Sequence, residues 1–122
     1  MKNNNTNLEL IALGVTGNLK AIGSETKLLA ASPNINVLTI PASASLARIT
    51  LEADDITLAT DITRLVCYWY NNKNTPTSTT GIPMGHLDEI VVGGAHNMGS
   101  FKMLVIDSGT ASLTLQVQYY KL

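Results

Sequence analysis

The sequence predicts an all-β domain: a single compact β-sandwich or small barrel of about six to eight antiparallel strands, with an N-terminal arm. Three observations predict it. Apolar and polar residues alternate at a period of two in several short runs, most cleanly over residues 112–120. Clusters of Gly, Pro, Asn, Asp and Ser separate those runs. Hydrophobic content is 45% while aromatics are only 5%, so the apolar mass is Leu, Ile, Val and Ala mixed with Thr and Ser, a composition suited to pleated, half-buried surfaces.

In chain order, residues 1–7 are polar and Asn-rich. Residues 8–15 are apolar, with Ile11, Leu13 and Val15 on one strand face and Gly17-Asn18 as a turn. Residues 24–31 read as one or two helical turns capped by Ser24, with Glu25 in the first turn, and Ser32-Pro33-Asn34 ends them. Residues 1–33 are therefore expected as an arm or extension, and residues 34–122 as the β-sandwich domain.

Residues 35–40 are expected as a strand closed by Pro41. Ile49 and Leu51 point inward from a second strand, with Arg48, Thr50 and Glu52 outward. Asp54-Asp55 makes a turn, and residues 56–59 a short strand or extended link. Leu65 to Tyr70 holds the only Trp and the only Cys and is apolar on both faces, so it is expected to be covered on both sides. A long ordered loop follows through Asn71, Thr75-Pro76-Thr77 and Gly81, with Gly81-Ile82-Pro83 as a bend. Residues 87–92 and 101–106 read as strands, and residues 107–110 as a hairpin loop. In the last strand Leu113, Leu115, Val117 and Tyr119 face one way and Thr114, Gln116, Gln118 and Tyr120 the other.

At 122 residues the chain fits one domain that can bury a core without metals or disulfides. A net charge of −1 with 14% charged residues argues against binding nucleic acid through phosphate contacts. No run approaches the ~18 apolar residues of a membrane helix, and the first residues, lacking a long apolar core after their single Lys, do not read as a signal peptide. The single Cys67 has no partner for an internal disulfide and reads as a small buried hydrophobe.

The candidate chemical groups reduce to structural roles. Asp54-Asp55 and Asp88-Glu89 are adjacent residues, which a strand would point to opposite faces, so neither is an acid/base couple. Calcium at Asp54, Asp55 and Asp61 lacks the spacing of an EF-hand loop. His86 and His96 lack further ligands for a metal site. Residues 93–99 are glycine-rich but precede a strand and have no Lys after them, unlike a phosphate-binding loop. No catalytic, cofactor or metal residue is expected. Tyr68, Trp69 and Tyr70 beside a hydroxyl-rich loop raise a sugar-stacking alternative. Core packing is the favoured reading, because large aromatics dominate β cores.

From Ala47 onward the order of features resembles small β-rich proteins encoded among the virion genes of tailed bacteriophages. The features are the strand Ala47-Arg48-Ile49-Thr50-Leu51, the aromatic strand ending in a loop with Thr75-Pro76-Thr77 and Gly81, a short strand after Gly85, the 101–106 strand, and Leu115-Gln116-Val117-Gln118-Tyr119-Tyr120. Asn72-Lys73-Asn74 stands where those proteins carry Asp-Gly or Asn-Gly. The resemblance implies a non-enzymatic structural virion protein, most directly a head auxiliary or decoration protein present in many copies. Its partners would be the major capsid protein, other virion proteins and its own copies, with no nucleic acid, membrane or cofactor. It would be made in the host bacterial cytoplasm and reside in the capsid. A tail or neck component, or a carbohydrate-binding sandwich using Tyr68, Trp69 and Tyr70, is the alternative. For such an assembly the apolar residues Leu8, Leu10, Ile11 and Leu13 of the arm, and Tyr119 and Tyr120, are the expected partner contacts. The arm would dock either on its own sheet edge or on a neighbouring subunit.

Overall fold

A computed structural model of the chain describes residues 19–71, 73–107 and 112–122. The described residues form seven strands: β1 (Lys20–Leu28), β2 (Leu46–Ala53), β3 (Val66–Trp69), β4 (Ile82–Met84), β5 (Glu89–Gly93), β6 (Lys102–Val105) and β7 (Leu113–Lys121). They build a four-stranded sheet in the order β1-β7-β2-β5 and a three-stranded sheet in the order β4-β3-β6, antiparallel throughout. The two sheets share one core, so the all-β sandwich expected from the alternation is the observed fold.

The inner face of the larger sheet follows from period two. Leu113, Leu115, Val117 and Tyr119 of β7 are buried, as are Ala47, Ile49, Leu51 and Ala53 of β2. The register sets Ile49 beside Val117 and Leu51 beside Leu115. Val66 and Tyr68 of β3, with Met103 and Val105 of β6, complete the same core from the smaller sheet. Burying such large aliphatic side chains supplies ~1.5–3 kcal/mol each. Met98, on the short helix α1 (Ala95–Gly99), and Phe101 are also in the core.

Several local expectations are corrected. Residues 24–31 are not helical: β1 pairs with β7 from Lys20 to Leu28, with a register shift between Ala21 and Gly23. The helical reading failed because the pairing puts Glu25 and Lys27 on the inner side, beside Val117 and Leu115, which erases the alternation. Glu25 is accommodated there because its carboxylate accepts the Tyr119 hydroxyl at 2.6 Å and the Thr39 N–H at 2.9 Å. Residues 20–28 of the expected 1–33 arm thus lie in the four-stranded sheet. Leu8, Leu10, Ile11, Leu13 and the Gly17-Asn18 turn lie outside the described residues.

Residues 35–40 are extended but make only one bridge, Asn36 to Met103. The Asn36 side chain pairs instead with the Ala30 backbone, accepting its N–H at 2.8 Å and donating to its carbonyl at 3.1 Å. Residues 56–59 hold a 3-10 turn at Ile56–Leu58, capped by Asp55. Gly81 is a bend as expected, but Ile82 and Pro83 belong to strand β4, whose Pro83 is tolerated because β4 is a sheet edge. The glycine-rich 93–99 segment contains α1. β6 and β7 belong to different sheets and so are not the two arms of one hairpin; of the expected 107–110 loop only Asp107 is described.

Candidate functional site

The groups with chemical potential are mostly committed to the backbone. Asp54 accepts the Ser112 N–H at 2.9 Å. Asp55 accepts the Thr57 N–H and hydroxyl, and Asp61 those of Thr63. These bonds, the hydroxyl ones foremost, hold both carboxyls below the usual carboxylate range. Asp107 accepts the Asp61 N–H, and Asp88 the Gly85 N–H, both at 2.7 Å. His86 Nδ1 accepts the Ala53 N–H at 3.0 Å, while His96 is exposed on α1. Among the described residues no three His, Cys, Asp or Glu side chains gather into a metal-binding set.

Cys67 points out of the smaller sheet, away from the core, yet is fully buried. Residues 76–81 fold back over it, placing the Thr77 carbonyl 3.0 Å from Sγ. Paired bonds between Thr77 and Thr80, and the Asn71 carboxamide receiving the Lys73 and Asn74 N–H groups, fix the loop. Burial pushes the thiol pKa up, the reverse of what a nucleophile needs.

The aromatic run separates. The Tyr68 ring is buried and stacks on Phe101 at 5.7 Å and on Tyr70 at 6.3 Å, so it offers no face to a sugar. Trp69 is half-buried and Tyr70 exposed. Tyr119 is likewise a core residue and no partner contact, and burial followed by the neighbouring Glu25 carboxylate pushes its phenol pKa far above the ordinary value. Tyr120 is half-buried on the outside of the same strand.

Two features of the four-stranded sheet have no partner among the described residues. One is the outer edge of β1, to which no described strand pairs. The other is the sheet's outer face. Its registers align Ser24, Gln118, Arg48 and Val91 in one row, and Thr26, Gln116, Thr50 and Glu89 in the next. Tyr120 and Leu46 stand above these rows, Thr114 and Glu52 below. The Gln116 carboxamide accepts the Thr26 hydroxyl at 2.8 Å and donates to Glu52 at 3.0 Å. Gln118 donates to the Gly23 carbonyl at 2.7 Å. A depression of about 200 Å³ lies over Ser24, Thr26, Arg48, Thr50, Gln116 and Gln118. The outward residues of β2 and β7 were each readable from alternation. Their assembly into one surface with β1 and β5 was not.

The chain matches no protein-family model, no curated protein and no solved structure.

Proposed function

We propose that this chain is a non-enzymatic structural protein of a tailed-bacteriophage particle, held on the head as an auxiliary or decoration protein in many copies. The observation that carries the reading is the outer edge of β1. This nine-residue strand follows the apolar stretch 8–15 in the sequence and has no described partner on that side. An open edge is a template for another strand, and strand addition is a route by which repeated subunits are tied together. Lys20, Glu25 and Lys27 on β1 and the irregularity at Gly23 oppose indiscriminate pairing and favour one selected partner. The commitment of the Asp carboxylates and of His86 to backbone N–H groups fits a rigid scaffold better than a reaction centre.

The test is quantitative mass spectrometry of purified particles of the phage that encodes the chain. The reading expects the protein in high copy number relative to single-copy portal or tail-tip components. Its presence in infected-cell lysate but not in particles would sink the reading.

A further inference from the structure

We propose that the depression on the outer face of the four-stranded sheet is a binding site for a neutral sugar ring. The site is distinct from the Trp69 region and does not depend on the particle-assembly reading.

The chemistry of the lining selects the ligand. Among the described residues, the Arg48 guanidinium makes only a long contact to Glu89, at 4.0 Å. The hydroxyls of Ser24 and Thr50 form no hydrogen bond among them, and Gln118, whose amide N–H groups are engaged by backbone carbonyls, keeps its Oε1 as an acceptor. Donors and acceptors are thus interleaved around one small concavity. A vicinal diol donates and accepts at each hydroxyl, and matches such a lining better than a group that only accepts or only donates. The balance of charge agrees. Glu52 and Glu89 flank the site and disfavour an anion, while Arg48 disfavours a cation. The size suits one ring, since about 200 Å³ is below the range for drug-sized ligands.

The site is also preorganised. Arg48, Thr50, Gln116 and Gln118 stand on the two central strands, β2 and β7. The Gln116 and Gln118 amides are already oriented by their bonds to Thr26, Glu52 and Gly23, so little rotamer entropy remains to be lost on binding. Tyr120 stands one row beyond Gln118 on the same face, outside the lining of the depression itself.

The experiment is an NMR titration of the full chain with a panel of neutral trisaccharides: maltotriose, cellotriose, mannotriose and chitotriose. The expected result is saturable shifts for at least one sugar, confined to the Ser24, Arg48, Thr50, Gln116 and Gln118 signals. Arg48→Ala, and independently the isosteric Thr50→Val, should each weaken that binding about tenfold, the loss for one removed hydrogen bond of moderate strength. Trp69→Ala, if folded, should bind as wild type. Amide dispersion identifies any variant that fails to fold, and Thr50→Val then carries the comparison. No shift with any sugar, shifts centred on Trp69 and Tyr70, or wild-type affinity in the folded variants would overturn the proposal.

Discussion

At the scale of single residues, backbone contacts govern which changes the fold tolerates. A Cβ on Gly85 would run into the Ile62 carbonyl oxygen and lie 2.8 Å from Thr63 Cα. At Gly81, where φ is +136°, it would lie 3.0 Å from Cys67 Cβ and 3.2 Å from Sγ. Gly85→Ala must therefore move backbone, whereas Gly81→Ala meets a side chain and an unfavourable φ. We expect a loss of about 3 kcal/mol or more for the first and about 1–3 kcal/mol for the second, by denaturant unfolding. The reverse order would contradict the geometry. The sequence marks Gly81 as a turn residue and Gly85 only as the start of a strand region. The crowding at Gly85 comes from residues 62–63, which no local pattern brings there. Cys67 was legible as buried, because its neighbours are apolar on both sides; that a loop and not a second sheet covers it was not.

At the scale of elements, alternation was a good guide where a strand has one wet and one dry face. β7 and β2 were legible for that reason. β1 was not, because an edge strand can carry Glu25 and Lys27 on its inner side, and Ser24 followed by Glu25 mimics a helix cap. Its recovery changes the prediction for truncation. Deleting residues 1–33 removes β1 and exposes the β7 edge, together with the Tyr119 hydroxyl that Glu25 accepts. That variant should be unfolded or aggregated by circular dichroism and size exclusion. Deleting residues 1–18 should leave a folded sandwich that no longer joins the particle. A folded, soluble 34–122 fragment would refute the integral role of β1. The 3-10 turn at 56–58 and the turn at 61–64 give a separate test. The Asp55 and Asp61 carboxyls are held low in the folded state, so folded protein binds fewer protons than unfolded chain as they titrate. Their contribution is present above the ordinary carboxylate pKa of about 4 and is lost as pH falls through the lowered values. The Thr57 and Thr63 amide shifts should titrate with midpoints below the ordinary carboxylate pKa of about 4. Movement complete at the ordinary carboxylate pKa would show that the hydroxyl bonds are absent.

At the scale of the whole molecule, composition and periodicity were enough for the fold class, and the pairing order was not. β2 and β7 are neighbours although about half the chain lies between them, and such a pairing leaves no mark in either strand's own pattern. The outer face of the four-stranded sheet is the direct consequence: residues legible one by one as outward become a surface only when the order is known. The outer edge of β1, to which no described strand pairs, has the same origin, and the assembly reading rests on it. The most direct measurement is a cryo-EM map of the native phage particle. The account predicts repeated density on the head into which the two-sheet sandwich fits, with a strand of a neighbouring copy or capsid subunit running along the outer edge of β1. A head map without that density, or with the sandwich seated so that the β1 edge faces solvent on every copy, would contradict it.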